Sequence, residues 1–65
     1  MLSESFLRLP EVRAATGLSR STIYARITAG TFPKPISLGT RAVGWVSSDV
    51  NAWIQQRISE GRKAA

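Results

Sequence analysis

Apolar positions follow two rhythms along this chain, and the polar residues between them mark where one gives way to the other. In "SSDVNAWIQQRI", residues 47 to 58, Val50, Trp53, Ile54 and Ile58 recur at helical spacing. Ser47 or Ser48 is placed to cap that helix, and Asp49 falls in its first turn, next to the positive end of the helix dipole. Upstream, Ile23 and Ile27 stand four apart behind Ser19, which predicts a second capped helix closed by Gly30. "PEVRAATG" reads as a shorter helix over about Pro10 to Thr16: proline suits the first turn, Glu11 the N-terminal end, and Gly17 the stop. Between helices 2 and 3 the rhythm changes. "TFPKPISLG" cannot be helical, because Pro33 and Pro35 hold it extended. Ile36 to Leu38 and Gly44 to Val46 read as two short strands joined through "GTRAV".

These elements predict a mainly α fold with a small β-hairpin, a winged helix-turn-helix of three helices and a two-stranded wing. Leu18, inside the turn, plugs the angle between helices 1 and 2. Residues 1–5 carry no periodic pattern and are expected to fray, as is the end of the chain at 60–65. With 65 residues the chain is expected to form one domain spanning 1–65, since so short a chain builds a single small core. Trp45, in the wing strand, and Trp53, on the apolar stripe of helix 3, are read as core residues in preference to platforms for single-stranded nucleic acid.

Composition narrows the chemistry. The chain has no cysteine and no histidine, so neither a disulfide framework nor a Cys/His zinc site braces it, and no metal or cofactor is expected. The commonest general base and the thiolate nucleophile are missing too, the four carboxylates lie far apart, and each glycine stands alone. An enzyme is therefore not expected. No stretch approaches the ~20 apolar residues of a membrane span, and nothing resembles a signal peptide, which makes the cytoplasm the expected compartment.

Charge points to a partner. Nine Lys and Arg oppose four Asp and Glu, for a net charge of +5. From Val12 to Ser48 there is no carboxylate at all, whereas Arg13, Arg20, Arg26, Lys34 and Arg41 fall inside that window. A polyanion suits such a field, and double-stranded DNA suits the helix-turn-helix within it.

Helix 2 carries the detail. With Ile23 and Ile27 on the buried side, about 100° per residue puts Ser21, Thr22 and Ala25 on the far face and Arg20, Tyr24 and Arg26 on its flanks. That face is narrow and short-chained, as entry into a groove about 12 Å wide requires. Its hydroxyls can reach base edges, its arginines can reach guanines or phosphates, and the N–H groups behind Ser19 favour a phosphate. Tyr24 could close the edge of the core or touch a phosphate, and Lys34 could be a solvated linker charge or a phosphate contact. Arg41, near the tip of the wing, has no packing task and is read as a DNA contact.

The ordered set "TGLSRSTIY", "G-x-FP-K-P-I-x-L", "RAVGW" and "S-x-V-x-AW" resembles the AlpA family of prophage-encoded regulators, relatives of the small excisionases and of the MerR-type winged helix. The resemblance spans residues 6 to 58. It implies a sequence-specific DNA-binding regulator of phage excision or integration genes, or alternatively an excisionase-type factor that bends DNA alongside an integrase. It also implies that Arg20, Ser21, Thr22 and Tyr24 belong to the groove-facing helix and that Gly39, Arg41 and Trp45 belong to the wing. Relatives often carry a basic residue after the tyrosine, where this chain has Ala25, so Arg26 or the wing is expected to take more of the affinity. An integrase or RNA polymerase is a conceivable protein partner. With no heptad run and too little chain for a sizeable ligand pocket, the protein is expected to be a monomer in solution that lines up in several copies on adjacent DNA sites. A protein-interaction adaptor of the antirepressor type, using helix 3 and the exposed aromatics, is the rival outside DNA binding.

Overall fold

Helix α1 (Leu9–Thr16) begins one residue before the expected proline, and the Glu11 carboxylate accepts from the Arg8 N–H at 2.7 Å to close its first turn. It ends at Gly17, whose N–H donates to the Arg13 carbonyl and whose φ of +74° turns the following chain out of the helix. The Thr16 hydroxyl, which donates to the Val12 carbonyl, accepts from the Leu18 N–H and so ties the turn to the helix behind it. Ser19 then caps α2 (Arg20–Ala29), its Oγ accepting from the Thr22 N–H at 3.2 Å. Gly30, at φ +81°, stops that helix. The computed structural model describes residues 5–64, so the expectation of fraying at 1–4 and at 65 lies outside the described residues.

The wing is part of a three-stranded antiparallel sheet. Strand β2 (Ile36–Gly39) pairs with β3 (Ala42–Val46) around a tip at Thr40 and Arg41, with a register irregularity between Ser37 and Gly39. A strand that the sequence pattern does not predict, β1 (Phe6–Leu7), covers the other side of β3, with Phe6 opposite Val46 and Leu7 opposite Trp45. Ser5 is held rather than frayed: its carbonyl accepts from the Ser47 N–H at 2.8 Å and its N–H donates to the Ser47 Oγ at 3.2 Å. The sheet's outer face is apolar, with Phe6, Ile36 and Leu38 exposed, and Gly44 sits beneath them. A Cβ there would lie 2.7 Å from Leu38 Cδ1 and 3.3 Å from Phe6 Cβ.

Helix α3 (Ser47–Ala64) follows β3 without a break and runs through the segment expected to fray. Its 18 residues give it a length of roughly 27 Å. Glu60 supports the extension, pairing with Arg57 and accepting from Gln56 Nε2 at 3.2 Å. The core that joins these elements is Val12 from α1, Ile23 from α2, Phe32 from the loop after α2, Trp45 from β3 and Val50 from α3. Each such side chain stabilises the fold by roughly 1.5–3 kcal/mol on burial. Leu18 packs against this cluster, as the turn position predicts. The two tryptophans differ. Trp45 is fully buried and donates from Nε1 to the Pro33 carbonyl at 2.9 Å. Trp53 is half-buried, its ring edge-on to Phe32 at 4.9 Å and its Nε1 donating to the Thr31 carbonyl, so Val50 is the fully buried anchor of α3.

Candidate nucleic-acid interface

Helix α2 presents to solvent a continuous strip made of Arg20, Ser21, Tyr24, Ala25, Thr28 and Ala29. The strip arises because Ile23 is wholly buried and Ile27 half-buried, which fixes the opposite side of the helix in the core. No side chain in its centre is longer than threonine apart from Tyr24 at one margin, so the backbone can approach a groove floor closely. Ser19, at the helix start, is exposed and is already engaged with Thr22, its Oγ lying 3.0 Å from Thr22 Oγ1.

Three side chains couple this strip to the wing. Arg20 lies over the Tyr24 ring at 5.6 Å, and Tyr24 meets the buried Trp45 edge-to-face at 6.3 Å. Tyr24 thus packs at the edge of the core on one side and is 37% exposed on the other. Because Trp45 belongs to β3, the angle between α2 and the hairpin is fixed by packed rings and not by a flexible loop. Lys34, between the two prolines, and Arg41, at the hairpin tip, are exposed, and neither side chain makes a hydrogen bond or ion pair among the described residues. Such cations are available to a partner.

Two residues stand elsewhere than the helical spacing puts them. Thr22 is half-buried and bound into the cap, not out on the far face with Ser21 and Ala25. Arg26 is half-buried on the α3 side of the helix, lining a cleft of about 540 Å³ with Phe32, Trp53 and Arg57. The physical reason is shared. Placing the buried direction midway between Ile23 and Ile27 ignores the loop after α2 and the Trp53 ring, which cover the Arg26 side and turn the exposed strip toward Thr28. Thr28, about 120° around the axis from Thr22, is the threonine that stands in the exposed strip; its hydroxyl donates to the Tyr24 carbonyl at 3.1 Å. The i, i+3, i+4 spacing of Ala25, Thr28 and Tyr24 is the sequence signal that points to it. The cleft itself is larger than so short a chain is expected to form, and it is an open groove between elements.

Since Arg41 has no packing role, Arg41→Ala should weaken DNA binding about equally on specific and nonspecific duplexes and lower the salt slope by about 1. Its melting temperature should stay within about 2 °C of the parent, as expected for an exposed side chain. A large drop in melting temperature by circular dichroism would instead place Arg41 in a structural network.

A capped helix pair with a short turn, a fixed wing and a carboxylate-free exposed helix face define the small winged helix-turn-helix class. Residues 5–58 match the family described as the prophage CP4-57 regulatory protein (AlpA), and the chain belongs to that family. It is 55% identical over 60 residues to an uncharacterised protein, ORF88, of Enterobacteria phage P4, covering 92% of this chain and 67% of that one. It is 40% identical over 57 residues to the DNA-binding transcriptional activator AlpA of Escherichia coli K12, covering 78% of this chain and 81% of that one. Among the described residues no helix is long and apolar enough to cross a membrane, and no cluster of three or more His, Cys, Asp or Glu could hold a metal ion.

Proposed function

We propose that this protein is a sequence-specific double-stranded DNA-binding regulator, acting in the cytoplasm as one winged helix-turn-helix domain on genes of phage excision or integration. The observation that carries this reading is the exposed strip of α2, short-chained and free of carboxylates, held at a fixed angle to a hairpin tipped by Arg41. In this reading α2 lies in the major groove. Ser21, Ala25 and Thr28 face the base edges, and Arg20 reaches a guanine or a phosphate from the platform of Tyr24. Ser19 presents the helix start to a phosphate, Thr22 holds that start in shape, and Lys34 and Arg41 contact the backbone on either side. Family membership and the E. coli relative's name support regulation over catalysis.

The test is a duplex titration by fluorescence anisotropy across salt, with a parallel gel shift. If Arg20, Lys34 and Arg41 each meet a phosphate, log affinity should fall with log salt at a slope on the order of −3. The gel should show successive bands, as monomers fill neighbouring sites about 10 bp apart. A flat salt response would falsify the DNA reading, and a stable dimer binding an inverted repeat in one step would replace side-by-side monomers with a paired repressor-like form. Stimulation of excision by purified integrase without transcription would move the role from regulator to excision factor.

A further inference from the structure

The cleft beside Arg26 is not explained by DNA reading. It opens between the C-terminal end of α2 and the middle of α3, floored by Phe32 and Pro33 and walled by Trp53, Gln56 and Arg57. At about 100° per residue, Arg26 lies about 160° around α2 from Thr28, so the cleft faces away from the strip that enters the groove. It stays open when the protein sits on DNA.

Its chemistry is specific. The Arg26 Nε is buried and has no hydrogen-bond partner among the described residues. Arg26 lines the cleft, so a carboxylate entering there would pair with its guanidinium, and a turn of the side chain that brings the shielded Nε–H to the second carboxylate oxygen would complete the side-on, two-bond geometry. Across the cleft, the Arg57 guanidinium lies over the Trp53 ring at 5.7 Å while it pairs with Glu60. Phe32 and Trp53, ring to ring, form an apolar wall between the two arginines. The surrounding charge separates one anionic partner from another. The adjoining groove on the far side of Trp53 is lined by Asp49, and Glu60 stands beside Arg57, so a long phosphate backbone laid here would run against both carboxylates. A short acidic stretch can engage the arginines without reaching past them.

We propose that this cleft docks an acidic segment of a protein partner, with carboxylates meeting Arg26 and Arg57 and an apolar side chain between them resting on Phe32 and Trp53. The choice of protein over nucleic acid rests on the reading of the Thr28 strip as the DNA side. The occupied cleft and the DNA-bound strip lie on opposite sides of α2, so one copy can hold DNA and partner together.

The probe is the acetylated, amidated peptide Gly-Asp-Asp-Phe-Glu-Asp-Gly, titrated into the full chain labelled with nitrogen-15, without DNA. Saturable shifts are expected at the Trp53 indole N–H and the Arg26 Nε–H, with the Asn/Gln twin of the peptide at least about tenfold weaker. Arg26→Gln and Arg57→Gln should each weaken the peptide about tenfold. Arg57 lies outside the core, so its variant, checked by circular dichroism for the last turns of α3 that its pair with Glu60 supports, separates loss of peptide binding from loss of the fold. No saturable shift at millimolar peptide overturns the proposal, as do shifts spread equally over Arg20 and Arg41. If Arg26→Gln lowers the DNA salt slope by about 1, Arg26 is a phosphate contact and the cleft belongs to DNA. Because the titration contains no DNA, its failure leaves the DNA reading standing. A flat salt response of the parent protein leaves the peptide result standing.

Discussion

Trp45→Ala is expected to leave the protein largely unfolded at room temperature. Trp45 is the largest fully buried side chain, and it touches each level of the architecture: it pairs across from Leu7 in the sheet, supports Tyr24 on α2, and ties the Pro33 carbonyl through its indole N–H. Truncating a buried tryptophan costs ~3–5 kcal/mol, and a chain of this size with no disulfide or metal rarely has more than ~3–5 kcal/mol to lose. Trp45→Phe retains most of the ring but leaves the carbonyl without its donor, a loss of ~1–3 kcal/mol that should lower the urea midpoint without abolishing the transition. Trp53→Ala removes a half-buried ring and its bond to the Thr31 carbonyl, so it should cost less than Trp45→Ala, although the apolar stripe of α3 singles it out equally. Circular dichroism in urea ranks the three. A Trp45→Ala protein that melts like the parent would mean that the sheet, α2 and the proline loop are joined by some other contact.

Local chemistry makes much of this fold legible in the sequence. Gly17, Ser19 and Gly30 each act through one conformational or capping preference that depends on little beyond the neighbouring residues, and each sits where that preference puts it. Strand β1 is not legible, because two residues carry no period; Phe6 and Leu7 become a strand only through pairing with Val46 and Trp45, which lie about forty positions away in sequence. The length of α3 escapes for a related reason. Gly61 and the polar residues around it read as an ending, yet the Arg57–Glu60 pair and the Gln56 amide lie astride the last turns and extend the helix. In the candidate interface, residue identities on α2 are readable, but their rotation about the axis is not. That rotation depends on Phe32 and Trp53 covering the Arg26 side, a tertiary fact that the Ile23 and Ile27 spacing does not contain.

Ala25→Glu should abolish specific DNA binding while leaving the fold intact. Ala25 is exposed near the centre of the α2 strip, glutamate is nearly as good a helix former as alanine, and none of the side chains one turn away, Ser21, Thr22, Thr28 or Ala29, is cationic and able to neutralise the new charge. The melting temperature therefore has little reason to move. On DNA, the carboxylate would face phosphates and the acceptor-rich floor of the groove, and like-charge juxtaposition of this kind costs several kcal/mol, which corresponds to ~100-fold or more in affinity. Ala25→Gln is the control, since it adds the same bulk without charge. A loss of less than about tenfold for Gln beside about 100-fold for Glu would assign the effect to electrostatics and place residue 25 against the duplex. Equal large losses for both would mean that the strip fits so closely that size alone excludes the longer side chain, which still puts α2 in the groove. Arg20→Ala, on the margin of the strip, should then reduce discrimination between specific and random duplex by ~1–3 kcal/mol if its guanidinium reads a base. Parent-like binding by Ala25→Glu would sink the assignment of α2 as the reading helix, because no duplex could lie along that strip without meeting the added charge.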